Sequence, residues 1–225
     1  MAPLARDEIK GAVSIDEFVH VACSDAVIDQ VLDQVKTAAA AAKDKYNLVT
    51  FSVGGNDLGF AQVVSDCLGE DDVGDVLKGG HAGCDVTEAE LLKRVAELPT
   101  HLVSMYKAAR DQLASGGAVV VVGYPNLFSD PDGWRGNSCL GVSKSDAAML
   151  RRVAVALDVA IDSAATLAGA TYVRLIDAFK GHELCGPEDA YINGIRLHGS
   201  FHPSAAGQRA AADLLAKALR TLYGV

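Results

Sequence analysis

The sequence predicts one α/β domain in three layers, a parallel β-sheet with helices on both faces. Three observations carry this. Segments of helical periodicity alternate with short apolar, β-rich runs in the order helix, strand, helix, strand, helix, strand, helix, which implies parallel strands joined by helical crossovers. The clearest run, Ala118-Val-Val-Val-Val-Gly-Tyr124, is continuously apolar, as expected of a strand covered on both faces. Half of the 225 residues are apolar, enough for one sizeable core, and no internal repeat, low-complexity tract or linker marks a second domain.

Each element has a local reason. Ser24 followed by Asp25 is a plausible N-cap, after which Ala26, Val27, Val31, Val35 and Ala38 recur at helical spacing and the alanine run 38–42 continues the pattern. Asn47-Leu-Val-Thr-Phe-Ser-Val53 predicts a buried strand ending at Gly54-Gly55. Thr87 opens an amphipathic helix to about Ala114; Pro99 should kink or break it, and Gly116-Gly117 stops it. Ser143 with Asp146 makes a loose capping box for a helix to about Leu167. Thr171-Tyr-Val-Arg-Leu-Ile176 is the third strand, and Pro203 fits the first turn of a last helix, 204–222. Right-handed crossovers then bring three loops to the carboxyl ends of the strands. These are the Gly54-Gly-Asn-Asp57 turn, the loop from Tyr124-Pro-Asn to Val142, and the loop 177–202. A site is expected at that edge.

Composition excludes several function classes. Twenty basic against 29 acidic residues, a net charge of −9, argue against nucleic acid or an anionic membrane surface as partner. No apolar run approaches the ~18 residues of a membrane span, and the amino terminus has no signal-peptide core. The five cysteines include no CxxC and no Cys/His pair at metal spacing. His20, His81, His101 and His198 also lack partners at such spacing, so neither a metal nor another cofactor is expected. An odd cysteine count leaves one thiol over. Gly54-Gly55 does not extend to GxGxxG and no GxxxxGK[ST] occurs, which disfavours a nucleotide-binding domain.

Two motifs carry chemistry. In Ser52-Val-Gly-Gly-Asn-Asp-Leu-Gly59, glycines expose backbone N–H groups and Asn56 adds an amide donor, the components of an oxyanion hole; a turn whose Asn caps the next helix is the simpler reading. In Gly199-Ser-Phe-His-Pro-Ser-Ala-Ala-Gly207, His202 is fixed at the mouth of a helix and can act as a general base; alone it is more simply a loop histidine. Further segments stand in order with these: Val19-His-Val-Ala-Cys-Ser-Asp25-Ala, Gly123-Tyr-Pro-Asn-Leu-Phe128 and Phe179-Lys-Gly-His-Glu-Leu-Cys185. Together the five resemble the SGNH hydrolase (GDSL-type lipase/esterase) family, in particular secreted actinobacterial lipases and esterases. The resemblance runs from about Val19 to the end, leaving 1–18 as a non-matching segment before a domain of 19–225.

The resemblance implies a flavodoxin-like parallel sheet, carboxylic-ester hydrolysis of a small-molecule or lipid ester, and an extracellular protein, with a monomer as the default. It makes Asn56 and Gly55 oxyanion-hole donors and His202 the general base. It pairs Cys67 with Cys84 and Cys139 with Cys185; in the chain-entropy model loops of those lengths contribute roughly 3 and 4 kcal/mol. Cys23 would pair with a cysteine nearer the amino terminus, and none is present. Asp25 stands where the family has an oxyanion-hole glycine, and Gly199 where many members place the triad Asp, so Asp25, Asp57, Asp177 or a backbone carbonyl remain to orient His202. The family's Gly-Asp-Ser block does not occur in 1–20, and neither Ser14 nor Ser24 is a good substitute. The first strand of the fold is therefore missing or replaced: either 10–15 substitutes for it or the sequence lacks its beginning. The function expected is a serine esterase or lipase domain with near-background activity as it stands; the alternative is a non-catalytic module that keeps the fold for binding. The patch 88–94 reads as a solvated helix face, His182 and Asp177 as loop-ordering residues, and Trp134 as either a pocket wall or an exposed loop tip.

Overall fold

The computed structural model of the chain describes residues 1–68, 84–197 and 199–225. His81 and His198 lie outside the described residues. In chain order the elements are α1 (Ala2–Ile9), α2 (Ile28–Ala41), β1 (Leu48–Phe51), a 3-10 turn (Asn56–Leu58), α3 (Phe60–Leu68), α4 (Glu88–Asp111), β2 (Ala118–Val122), β3 (Ser138–Cys139), β4 (Val142–Ser143), α5 (Lys144–Ala168), β5 (Thr171–Val173) and α6 (Ala205–Tyr223). β1, β2 and β5 form a parallel sheet in that spatial order, with Phe51 beside Val121 and Val122 beside Val173. β3 and β4 pair separately as a small antiparallel ribbon.

The fold is the three-layer α/β/α arrangement that the alternation predicts. Val119 to Val122 on the central strand are at most 1% exposed, as a strand covered on both faces requires. α4 packs along α5 and also meets α2, while α6 packs on β5 and carries α1. The caps follow the residues. Thr87 accepts the N–H of Glu90 while the Glu90 carboxylate takes the N–H of Thr87 at 2.9 Å, a reciprocal box. Ser143 Oγ accepts from the Asp146 N–H, and Gly169 ends α5 at φ +68°. Ser204, one residue after Pro203, caps α6 through the Gly207 N–H.

Several expectations are corrected. Pro99 does not break α4, which runs unbroken from Glu88 to Asp111. Proline costs a helix interior about 3 kcal/mol, but Leu91, Val95, Leu98, Leu102, Met105, Tyr106 and Ala109 are all buried along this helix, and each large apolar side chain so buried contributes about 1.5–3 kcal/mol. Ser24 does not cap α2, which begins at Ile28: Gln30 takes the N–H of Val27 at 3.1 Å and Asp57 that of Ile28 at 3.1 Å. Residues 10–15 form no strand. The amino-terminal residues instead make α1, whose buried Ala5 and Ile9 sit four apart on one helical face.

The sheet accordingly has an open side. Ala118 donates to the Asn47 carbonyl, so Asn47, Val49 and Phe51 direct their backbone groups toward β2, and Leu48 and Thr50 direct theirs away. No strand pairs with that side among the described residues. The irregular segment 17–26 is tethered to residues flanking β1 at both its ends, by Tyr46 donating to Glu17 at 3.2 Å and by Asn56 donating to the Ala26 carbonyl at 3.0 Å. No helix among the described residues is long and apolar enough to cross a membrane.

Gly123, at the end of β2, is held against the third strand. A Cβ there would lie 2.1 Å from the Tyr172 hydroxyl, which is itself fixed on the buried Asp158 carboxylate at 2.5 Å. Gly123→Ala is expected to destabilise the chain by about 2–3 kcal/mol, and by less in a Tyr172→Phe background, as measured by urea unfolding.

Candidate active site

The turn after β1 leaves the strand through Gly54, whose φ of +112° suits glycine. Gly55 is tightly faced by Tyr124: a Cβ would lie 3.0 Å from its ring, so a side chain there would push the ring aside. Its N–H donates to the Tyr124 hydroxyl at 3.3 Å. Ser52 bonds the same hydroxyl, and burial pushes the phenol pKa up, so it is neutral at physiological pH. Asn56 begins the 3-10 turn, caps no helix, and uses one amide N–H on the Ala26 carbonyl. An amide has two such hydrogens, and the side chain is exposed, which leaves one available to a ligand. Arg94 reaches across from α4 to the Leu58 carbonyl at 2.9 Å and braces the turn.

His202 stands on a hairpin closed by a bridge between Ile192 and Pro203. Its Nδ1 is 2.9 Å from the Ser200 carbonyl. A carbonyl only accepts, so Nδ1 carries the proton of the neutral ring and Nε2 holds the lone pair. No carboxylate among the described residues hydrogen-bonds this histidine. The preceding Phe201 takes φ +60°, a left-handed conformation uncommon for a large side chain, and packs its ring 6.4 Å from Phe128. The loop after β2 therefore touches both motifs, with Tyr124 against Gly55 and Phe128 against Phe201.

A profile of the GDSL-like Lipase/Acylhydrolase family matches residues 4–210. The chain belongs to the GDSL-like lipase/acylhydrolase family. Lipase 1 of Streptomyces coelicolor is 29% identical over 207 residues, 88% of this chain and 68% of that protein. A lipase of Streptomyces rimosus is 29% identical over 194 residues, 85% and 66% of the two chains, so this chain spans about two thirds of the length of these relatives. Among solved structures, the extracellular lipase of Streptomyces rimosus superposes with a TM-score of 0.74 at 27% identity, covering 95% of this chain and 86% of that one. The phospholipase A1 of Streptomyces albidoflavus does so with a TM-score of 0.68 at 27% identity, covering 94% and 83%.

On this GDSL-type framework the expected residues separate. Asn56, Gly55 and His202 all lie in loops leaving the carboxyl edge of the sheet. Asp57 is committed to capping α2, with its second oxygen buried and unpartnered. Asp177 is exposed. Asp25 is exposed at φ +62°, a backbone state that glycine adopts freely. The two expected disulfides, Cys67–Cys84 and Cys139–Cys185, are formed, and Cys23 is an exposed free thiol. The His182 Nδ1–H donates to the Asp189 carbonyl at 2.9 Å, and its ring stacks on Tyr191 at 3.8 Å, holding the loop. Trp134 is not a loop tip: it is 8% exposed and its indole donates to Ser129 Oγ at 2.9 Å. The 88–94 patch is not merely solvated, since Glu88 pairs with Arg152 at 2.7 Å and Arg94 holds the turn.

Two contributors escaped the sequence reading, Tyr124 and Arg94, and of the alternatives left open for orienting His202 it is a backbone carbonyl, that of Ser200, that meets the ring. Tyr124 had a signal, the Gly-Tyr-Pro string, but no spacing shows that its hydroxyl meets Gly55. The strain at position 25 has a direct check. Asp25→Val is expected to cost about 1–2 kcal/mol in chemical denaturation, whereas Asp25→Gly should be neutral or slightly stabilising.

Proposed function

We propose that this chain is the base-and-oxyanion part of a serine hydrolase acting on carboxylic esters, and that its own residues do not supply the nucleophile. The observation that carries the reading is the His202 ring, protonated at Nδ1 by its bond to the Ser200 carbonyl and basic at Nε2. Nε2 would take the proton of an attacking serine hydroxyl and return it to the leaving alkoxide. The free amide N–H of Asn56 would donate to the developing oxyanion. Gly55 would join it only when its N–H leaves the Tyr124 hydroxyl. Asp25 at the third donor position weakens the hole unless its carboxylate stays in solvent.

Ser14 pairs with Asp16 at 3.3 Å on an exposed segment, and Ser24 is exposed on the 16–27 stretch. Neither hydroxyl is hydrogen-bonded to an imidazole. The two disulfides and the extracellular relative favour an oxidising compartment outside the cell. The names of the relatives favour lipid esters among the possible substrates.

Intact-mass labelling with a fluorophosphonate is the test. No adduct is expected on the folded chain; a single adduct on Ser14 or Ser24 would identify an internal nucleophile and overturn the reading. Joining a strand that ends in Gly-Asp-Ser ahead of residue 1 should restore labelling. His202→Ala in that fusion should lower ester turnover by about 10⁴–10⁶-fold.

A further inference from the structure

The hairpin that holds His202 ends in an apolar tip. Leu197 is 97% exposed and Ile195 60%, and Leu140, 41% exposed, adjoins them across Gly194, where a Cβ would lie 3.5 Å from the leucine methyl. The tip is braced. Asn193 donates its N–H to the His202 carbonyl and receives that of Phe201, and its amide reaches the Gly199 carbonyl at 3.2 Å. The Arg196 N–H donates to Ser200 Oγ, which donates back to the Arg196 carbonyl at 2.8 Å. The same Ser200 orients His202 through its own carbonyl. A leucine held almost wholly in water on a hydrogen-bonded turn stands against the hydrophobic effect, and no described residue covers it.

We propose that this tip, Leu140, Ile195 and Leu197, docks the protein on a neutral or zwitterionic lipid surface and so brings His202 to the lipid boundary. The tip projects outward rather than forming a groove, and a fluid surface closes around a projection without a matching cavity. The net charge of −9 repels anionic surfaces, and Arg196 is the one cation between Ile195 and Leu197. The choice of lipid over a protein partner rests on the ester-hydrolase reading; the docking itself needs no turnover.

The experiment is flotation of the full chain with phosphatidylcholine vesicles, without ester hydrolysis as a readout. The comparison is an Ile195→Ser, Leu197→Ser double variant against Leu167→Ser, which removes a side chain 70% exposed in the last turn of α5. Wild type and Leu167→Ser should float equally. The double variant, with unchanged circular dichroism, should partition at least about tenfold less. Vesicles rich in phosphatidylglycerol should bind wild type more weakly.

Failure of wild type to float, equal flotation of the double variant, or binding confined to anionic vesicles and removed by salt would overturn the proposal. So would a dimer in sedimentation that the double variant abolishes, since a second copy would then be the partner. Flotation with no restored fluorophosphonate labelling in the fusion would sink the hydrolase reading and leave the docking surface standing. Labelling without flotation would do the reverse.

Discussion

The burial of β2 on both faces and along both edges constrains everything else in the molecule. Its backbone groups have no water to bond, so parallel neighbours must take them. Its four buried valines need an apolar layer above and below, so helices must cover the sheet. Those helices fix where the chain can leave the strands. Gly123 ends the strand without a side chain because Tyr172 fills that space. From there Tyr124 reaches the turn after β1 and Phe128 reaches the hairpin of His202. Two chemical motifs almost 150 residues apart are thus indexed to one another by a single loop on the central strand.

The loops are where the backbone is least relaxed. Asp25, Leu140, Cys185 and Phe201 are the non-glycine residues with positive φ among the described residues, and all four lie in loops rather than in the sheet or helices. Such conformations cost roughly 1–3 kcal/mol each and persist where surroundings over-determine them. Phe201 is held by its ring on Phe128 and by its N–H to Asn193. The next residue, His202, has its ring on the Ser200 carbonyl two residues back, a local arrangement that orients the imidazole without a distant carboxylate.

Much of this was legible in the sequence. The valine run, the alternation of periods and the caps at Thr87 and Ser143 fix the order of the elements, because these signals act over a few residues. The position of Asn56 and His202 at one edge follows from strand order and crossover handedness alone. The rest was not legible, for physical reasons. Pro99 lies in an unbroken helix because tertiary burial outweighs a local penalty. The N-terminus of α2 is capped by Asp57 from nearly 30 residues away, which no local motif shows. The Gly55–Tyr124 bond joins a backbone donor to a side chain 69 residues on.

The open side of β1 has a consequence of another kind. Among the described residues, nothing pairs with the outward N–H and C=O groups of Leu48 and Thr50 on this short parallel strand, the geometry that lets sheets from separate molecules zip together. The stretch 16–23 belongs to the segment fastened at Glu17 and Ala26 to residues flanking β1, and is not hydrogen-bonded as a strand between them. The colloidal behaviour of the protein in concentrated solution then depends on how well eight exposed residues and a surplus of negative charge keep two such edges apart.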